Sequence, residues 1–190
     1  WQFFPFIKGV AGTGKSTLLN LSSHFYDKRD TGTMMSQAQT NFSIEHLADV
    51  LVFYCTEVDS KMTLSPTIWN SMVSGESISV DRKFKTSVSK EWKSPGIFAG
   101  NVFPPWVDNG GNVSRRMLVF LFDRIVTESD PQLAEKCHME LPVFMLKCVS
   151  CYQDLLAKHG QRSIWDNGVL PDFFHQAKAK TMGSTNSMQA

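Results

Sequence analysis

Long hydrophobic runs are missing from this sequence. None of its apolar stretches reaches the roughly 18 residues that a transmembrane helix needs, so we expect no membrane partner. The chain begins at Trp1 and not at a methionine, and its first residues do not resemble the charged start of a signal peptide. We therefore expect the chain to be a piece of a longer protein.

Neither sign of charge is in clear excess, and cysteine is scarce. The formal net charge is +1, which excludes a polycation, so any contact with nucleic acid has to come from a local patch. The 4 cysteines are scattered, which does not suggest a disulfide scaffold, and we expect a reducing, intracellular setting. The sequence also contains no internal repeat and no low-complexity block.

What the chain does have is enough apolar surface for a packed core. Its 190 residues are 42% hydrophobic and 19% charged, which suits one domain with at most a small appendage. Apolar runs typical of strands alternate with segments typical of helices, which predicts an α/β fold with a mostly parallel sheet and helices on both faces. We predict strands at 3–7, 50–55, 78–80, 97–100 and 117–122, and helices at 15–26, 42–49, 66–74 and 132–159, the last interrupted at Pro142.

A glycine-rich segment, GVAGTGKST, lies between the first predicted strand and the first predicted helix. It has a glycine, four residues and then Gly-Lys-Ser, the pattern of a phosphate-binding loop. Glycines let successive backbone N–H groups point at phosphate oxygens, and the helix N-terminus adds its partial positive charge. Lys15 would reach the β- and γ-phosphates, and the Ser16 hydroxyl would bind Mg²⁺. A simple turn before a helix is the alternative, but the context favours a nucleoside triphosphate. The predicted nucleotide-binding residues are Gly9, Val10, Ala11, Gly12, Thr13, Gly14, Lys15, Ser16 and Thr17.

Two acidic residues follow the strongly apolar run VLVFYC. Such a site needs a carboxylate at the end of a second strand, to bind Mg²⁺ or to orient the attacking water. Glu57 is the first candidate and Asp59 the second. A solvated turn after a strand is the alternative, but the phosphate loop favours the functional interpretation.

A basic segment separates the predicted strands at 78–80 and 97–100. Two β-rich arms around a basic tip would form a hairpin that offers cations to phosphates and an aromatic ring to bases. A solvated, lysine-rich surface hairpin is the alternative. The predicted DNA-binding residues at the tip are Arg82, Lys83, Phe84 and Lys85, with Lys90, Trp92 and Lys93 farther along the second arm.

Polar residues also flank the last two predicted strands. Asn101 ends the run GIFAGN, where an amide can hydrogen-bond the γ-phosphate and the lytic water; a turn residue before Pro104 is the alternative. Arg115 and Arg116 precede the strand MLVFLF, and one of them could stabilise transition-state charge on the nucleotide of a neighbouring subunit. Two surface arginines at a strand start are the alternative.

The order of these motifs resembles that of superfamily 3 helicases, the class found in small DNA viruses and in the primase-helicases of large DNA viruses. The phosphate loop GVAGTGKST, the acidic strand VLVFYCTEVD, the segment SISVDRKFK, the strand GIFAGN and the later SRR carry this resemblance over residues 3–126. It implies a P-loop NTPase fold of the AAA+ type, with three layers, a β-hairpin insertion and a C-terminal helical segment. It divides the chain into an ATPase core at 1–126 and a helical segment at 127–190.

The same resemblance implies a function and partners. It predicts an ATP-dependent DNA helicase domain of a viral-type replication protein, with ATP and Mg²⁺ bound, assembled as a hexameric ring around single-stranded DNA. A primase domain in the same full-length chain would fit this class. The catalytic residues implied are Lys15, Glu57, Asn101 and Arg116 or Arg115, with Ser16, Glu57 and Asp59 at the magnesium ion.

The sequence departs from the family pattern at two positions. Thr56 stands where the family often has a second acid beside Glu57, which leaves the metal ligand open. Phe84 stands at the hairpin tip where many members have histidine, which favours stacking or wedge packing over a hydrogen bond to phosphate.

Two other function classes remain open from the sequence. A small-molecule kinase would also use a phosphate loop, but it would need a lid with arginines and no basic hairpin. A non-hydrolysing, ATP-gated assembly module would fit the missing second acid at Thr56.

A few remaining residues invite functional interpretations that we consider weaker. The pair Cys148 and Cys151 is expected to be buried thiols in a helical core and not a zinc site. Trp106 is expected to anchor a packed loop and not to stack on a base.

Overall fold

Residues 1–36, 44–82, 85–106, 108 and 110–186 are described by the computed structural model of the chain. The strands are β1 (Phe4–Gly9), β2 (Thr31–Thr33), β3 (Val52–Val58), β4 (Ser77–Arg82), β5 (Lys85–Glu91), β6 (Gly96–Gly100) and β7 (Met117–Phe122). The helices are α1 (Lys15–Ser23), α2 (Pro66–Ser74), α3 (Leu133–His159) and α4 (Asp172–Asn186).

Five strands form one sheet in the order β2-β3-β6-β1-β7, and every pair in it is parallel. The predicted α/β fold with a mostly parallel sheet is therefore confirmed. β1 occupies an inner position, so the segment that follows it emerges from the middle of the sheet. β4 and β5 form a separate antiparallel hairpin, as the sequence predicts.

Both faces of the sheet are covered, because the strands alternate their apolar side chains between two clusters. On one face Phe4, Phe53 and Phe98 surround Trp69 of α2, which is fully buried. On the other face Tyr54 and its strand neighbours pack against Leu19 and Leu18 of α1. The two clusters fix α1 and α2 on opposite sides of the sheet.

Pro5 lies inside β1, although proline is disfavoured in an inner strand because it has no N–H to donate. Its position explains why it is tolerated. β6 pairs with β1 only from Phe6 onward, so Pro5 lies where β1 has a partner on one side alone, opposite Leu118 of β7.

Local signals set the ends of α2 as the sequence predicts. The Ser65 hydroxyl accepts a hydrogen bond from the backbone N–H of Ile68 at 3.2 Å, and Pro66 occupies the first turn. Gly75 ends the helix in the left-handed region with φ of 74°.

Two other predicted helices are shorter in the structure. α1 ends at Ser23, because His24, Phe25 and Tyr26 form a turn with hydrogen bonds to residues three positions back. The helix predicted at 42–49 is reduced to the 3-10 turn Glu45–Leu47, and residues 42 and 43 lie outside the described part of the chain.

The C-terminal segment contains the largest departures from the sequence-based expectations. α3 runs unbroken for 27 residues through Pro142, so the predicted interruption is wrong. Cys148 and Cys151 are exposed on this helix, so the expectation of buried thiols is wrong as well. No helix among the described residues is long and apolar enough to span a bilayer.

Candidate functional site

The loop between β1 and α1 turns on two left-handed glycines. Gly12 and Gly14 have φ of 78° and 87°, a region that other residues rarely adopt. Gly14 is also the N-cap of α1, and its carbonyl accepts the first helical hydrogen bond, from Leu18 at 3.0 Å. The loop therefore presents the N-terminus of α1 to the carboxyl edge of the sheet, where β1 ends.

An open cleft of about 540 Å³ lies directly over this loop. The loop forms its floor, and the carboxyl ends of β3 and β6 form its wall. The lining residues are Ala11, Gly12, Thr13, Gly14, Lys15, Ser16, Thr17, Thr56, Glu57, Val58, Asp59, Gly100 and Asn101. Lys15, Ser16, Glu57, Asp59 and Asn101, which the sequence analysis singled out separately, are thus brought together around one cleft.

The Lys15 side chain is held close to the loop. Its Nζ donates to the carbonyl oxygen of Val10 at 2.7 Å, and the Thr13 hydroxyl donates to the same oxygen at 2.9 Å. A phosphate oxygen in the cleft would compete for the Lys15 ammonium with a single neutral carbonyl. Because a hydrogen bond between two charged groups is the stronger one, this arrangement can release the lysine to an anion.

A bulge in β3 places two consecutive side chains at the cleft. Cys55 pairs with Phe98 and Val58 pairs with Gly100, so between these two pairs β3 contains one residue more than β6. An ordinary strand would send Thr56 and Glu57 to opposite faces, whereas here both are exposed and line the cleft. No residue pattern in the sequence predicts this bulge.

The wall that β3 and β6 form depends on a close approach of their backbones at Gly100. A Cβ there would lie 2.5 Å from the carbonyl oxygen of Val58 and 2.9 Å from its Cβ. Only glycine lets β6 pass this close to β3. Asn101 follows immediately, is exposed at the end of the strand and lines the same cleft as Glu57.

Glu57 and Asp59 differ in what their carboxylates do. Asp59 Oδ1 accepts the Ser36 hydroxyl at 2.9 Å and the backbone N–H of Lys61 at 2.8 Å, which closes a turn after β3. The Glu57 side chain is exposed and makes no hydrogen bond or ion pair with any described residue. Of the two acids, Glu57 is therefore the better placed to act on a ligand.

The oxygen atoms in the cleft are suited to a hard cation that the phosphates of a nucleotide bind as well. The Ser16 hydroxyl and the Glu57 carboxylate are oxygen ligands, which Mg²⁺ prefers, and Mg²⁺ needs only one or two carboxylates when substrate phosphates and water complete its shell. Within the described ranges no three His, Cys, Asp or Glu side chains form a metal cluster. The site thus has the oxygen donors for a nucleotide-bound Mg²⁺ but no cage of its own.

Arg115 and Arg116 lie at the opposite edge of the sheet from the cleft. They form the 3-10 turn that leads into β7, whose first residue pairs with Phe4 at the start of β1. The six residues of β1 separate them from the phosphate loop by about 20 Å. Neither arginine reaches the cleft of its own chain.

The two arginines are held differently. The Arg116 guanidinium donates to the Ser74 hydroxyl at 2.9 and 3.2 Å and to the carbonyl oxygen of Asn112 at 3.0 Å. Partial burial, together with the charge of Arg115, lowers the pKa of Arg116. Arg115 is exposed, and its side chain makes no bond to the residues that the structure describes. The hydrogen bonds of Arg116 therefore fix this turn to α2, whereas the exposed side chain of Arg115 can contact another molecule.

The basic hairpin contributes fewer groups than the sequence suggests. Trp92 is 2% exposed and donates to the carbonyl oxygen of Ser94, so it is a core residue and not a ring offered to bases. Lys90 pairs with Asp49, and Lys93 pairs with Glu91 at 3.3 Å.

The residues at the hairpin tip are the remaining candidates for binding DNA. Arg82 pairs with Lys85 in the backbone ladder, while Lys83 and Phe84 lie outside the described residues. The roles of these four residues stay predictions.

Trp165, to which no sequence motif assigns a site role, contacts the arginine turn. Trp165 Nε1 donates to the carbonyl oxygen of Arg115 at 2.6 Å across 50 positions of sequence. No local pattern reveals such a contact, because it depends on how the C-terminal segment packs. Trp106, in contrast, is 6% exposed and donates to the carbonyl oxygen of Leu64, which confirms that it anchors a packed loop.

A family model described as "Family of unknown function (DUF5906)" matches residues 7–116. Among solved structures, the chain is similar to the A-form apo structure of the NrS-1 C-terminal region, with a TM-score of 0.56 and 15% identity over 74% of this chain and 34% of that one. A second apo structure of the NrS-1 C-terminal region gives a TM-score of 0.55 and 14% identity over 94% of this chain and 54% of that one. The chain thus spans between a third and about half of these structures, and the likeness is one of fold. No curated protein has a significantly similar sequence.

Proposed function

Because the chain belongs to the DUF5906 family, whose description states no activity, we propose a function from the site itself: the chain is the ATP-driven motor of a DNA helicase. It would hydrolyse ATP in an oligomeric ring, as the ATPase core of a viral-type replication protein. Members of such rings pull single-stranded DNA and unwind duplex. An intracellular setting, a hexameric ring and a primase domain elsewhere in a longer chain belong to the same proposal.

The observation that carries this proposal is the convergence of the phosphate loop, Glu57 and Asn101 on one cleft. These groups come from three different segments of the chain, yet they line one 540 Å³ space. A glycine-rich turn without function would not need beside it an exposed amide and an acid that bonds to none of the described residues. Backbone N–H groups, an ammonium, an acid and an amide are together the parts that phosphoryl transfer to water requires.

Each group has a role that follows from its chemistry. The loop N–H groups and the N-terminus of α1 bind the phosphates, and Lys15 moves from the Val10 carbonyl to the γ-phosphate. Glu57 accepts a proton from the attacking water while Asn101 orients that water by a hydrogen bond. Ser16 and Glu57 would hold Mg²⁺, which would neutralise charge on the β- and γ-phosphates.

The transition state needs a further cation, which we assign to Arg115 of a neighbouring subunit. In its own chain Arg115 lies about 20 Å from the phosphate loop, whereas its exposed guanidinium can reach into another subunit. Arg116 is committed to Ser74 and Asn112 and is the less suitable of the pair. Hydrolysis would then depend on assembly, which is why we propose a ring.

The DNA-binding part of the proposal rests on the tip of the β4–β5 hairpin. Arg82, Lys83 and Lys85 would contact the DNA backbone, and Phe84 would stack or wedge against bases. β4 follows the C-terminus of α2 and β5 leads into the amino end of β6, so the hairpin is attached at the edge of the sheet opposite the cleft. α2 and β6 run between the two edges of the sheet, and they are the elements through which a change at the nucleotide would reach the tip.

The test is phosphate release by the purified protein with and without single-stranded DNA, together with its mass in solution. We expect hydrolysis that DNA stimulates, an oligomeric mass, and loss of turnover in Lys15→Ala. Lys28→Ala, which removes an exposed lysine outside the cleft, is the matched control and should behave like the wild type.

Other results would overturn the proposal in distinct ways. ATP binding without phosphate release would favour a non-hydrolysing assembly module, which the hydrogen-bonded Asp59 and the Thr56 position leave as the next candidate. Phosphate transfer to a small molecule, with no response to DNA, would indicate a kinase.

A further inference from the structure

Hydrogen bonds from several parts of the chain fix the turn at 114–116. The Asp108 carboxylate accepts the backbone N–H groups of Val113 and Ser114, both at 2.9 Å. The side chain of Arg116 fixes the turn to α2 through Ser74. The exposed Arg115 thus projects from a backbone that is anchored on both sides.

The C-terminal segment supplies the remaining anchor. Trp165 donates its indole N–H to the Arg115 carbonyl oxygen at 2.6 Å, and α4 holds the indole in turn. Lys178 Nζ lies 4.0 Å from the centroid of the Trp165 ring, and His175 packs against its edge with ring centroids 5.8 Å apart. A chain of contacts therefore runs from α4 through one ring to the peptide of Arg115.

We infer that Trp165 is a positioning residue that aims Arg115 at the nucleotide of the neighbouring subunit, so that the C-terminal segment controls hydrolysis through this hydrogen bond. This rests on the proposed function. A hydrogen bond to the Arg115 carbonyl fixes the plane of the peptide, and with it the direction in which the side chain leaves the backbone. A long side chain amplifies a small rotation at its base, and a displacement of about 1 Å at a reacting centre can cost roughly 100-fold in rate.

The chain offers a matched comparison for this bond. Trp1 also donates its indole N–H to a distant backbone carbonyl, that of Arg162, at 2.8 Å. Both bonds attach the C-terminal segment to the core, but only the bond of Trp165 ends on the arginine turn. Trp1→Phe and Trp165→Phe therefore remove the same type of bond from the same segment.

The experiment measures ATP hydrolysis by the assembled protein with single-stranded DNA present. Trp165→Phe should lower kcat by about tenfold, the effect of roughly one hydrogen bond, with KM for ATP unchanged. Trp1→Phe should retain the wild-type kcat. Lys178→Met, which removes the cation over the ring, should lower kcat in the same direction but less, and it replaces Trp165→Phe as the test if that variant does not fold.

Mixed assemblies separate positioning from a general structural role. Trp165→Phe subunits keep an intact cleft, so mixing them with Lys15→Ala subunits, which keep an intact Arg115, should restore hydrolysis. Mixing them with Arg115→Ala subunits should not.

The outcomes separate this inference from the proposed function. Wild-type kcat in Trp165→Phe, or a loss that Lys15→Ala subunits fail to restore, would overturn the inference and leave the motor intact. Wild-type protein without hydrolysis, or Arg115→Ala with full activity, would instead overturn the proposed function on which it rests.

Discussion

At the scale of single residues, activation of the attacking water should depend on Glu57. It is the acid in the cleft whose carboxylate is not engaged with any described residue, and it lies on the strand bulge that faces the phosphate loop. Glu57→Gln keeps the size of the side chain but removes its capacity to accept a proton. We expect ATP turnover to fall by about 100- to 1,000-fold while ATP binding is retained.

The measurement compares phosphate release with equilibrium binding of a fluorescent ATP analogue. Glu128→Gln, which changes an exposed acid in the loop after β7, is the matched control and should leave both unchanged. If Glu57→Gln retains full turnover, the water-activating role belongs to another group.

A second residue-scale prediction concerns the thiol of Cys55. This residue is fully buried in β3, and burial raises the pKa of its thiol from 9.0 to about 12. In the unfolded chain the thiol ionises above pH 9, but in the folded chain it stays protonated, so folding loses stability as the pH rises from 9 towards 12. The loss should be about 1 kcal/mol per pH unit over this window.

The check is urea unfolding between pH 8 and 11 for the wild type and Cys55→Ala. Burial also raises the pKa of Tyr54, which adds a slope of the same sign, so the difference between the two proteins isolates the thiol. Parallel slopes in the two proteins would contradict the prediction. In the folded wild type, a thiol reagent at pH 8 should modify the exposed Cys148 and Cys151 and spare Cys55.

At the scale of elements, the close approach of β3 and β6 should depend on Gly100. A methyl group there would collide with the Val58 carbonyl oxygen at 2.5 Å, where the contact is with backbone and cannot be relieved by a flexible side chain. We expect Gly100→Ala to destabilise the fold by about 1–3 kcal/mol, measured by urea unfolding. Asn101→Ala changes the adjacent exposed position and should leave the stability close to that of the wild type.

The hairpin tip provides a second prediction for an element. Lys83→Ala with Lys85→Ala should weaken binding of single-stranded DNA and reduce its salt dependence by about two counterions, while basal ATP turnover is retained. Lys90→Ala with Lys93→Ala removes the same charge from the same hairpin, but these lysines pair with Asp49 and Glu91 and should matter less. Equal losses in the two double variants would mean that the tip has no special role.

Much of this architecture follows from short sequence patterns. The alternation of apolar runs and helical segments predicts the parallel sheet, because strand and helix propensities are local. Ser65 and Gly75 mark the ends of α2 for the same reason, since a cap depends on its own neighbours. The phosphate loop is the clearest case, because left-handed glycines before a helix are encoded position by position.

What the sequence does not predict depends on contacts between distant segments. The β3 bulge exists only in relation to β6, and it is what brings Thr56 beside Glu57 at the cleft. Trp92 has basic neighbours in sequence, yet the core of the sheet buries it. The contact between Trp165 and Arg115 joins residues 50 positions apart. Such features follow from packing, which no local pattern encodes.

At the scale of the whole molecule, the positions of the cleft and of Arg115 at opposite edges of one sheet predict that two inactive variants restore each other. Lys15→Ala subunits lack a working cleft but carry Arg115, and Arg115→Ala subunits have the reverse defect. In a ring mixed in equal amounts, about a quarter of the interfaces join an intact cleft to an intact arginine, so turnover should return to roughly a quarter of the wild-type value. Phosphate release by the mixture and by each variant alone measures this. Arg116→Ala should instead lower the melting temperature, because Arg116 ties the turn to Ser74. A mixture as inactive as its components would show that Arg115 does not act between subunits.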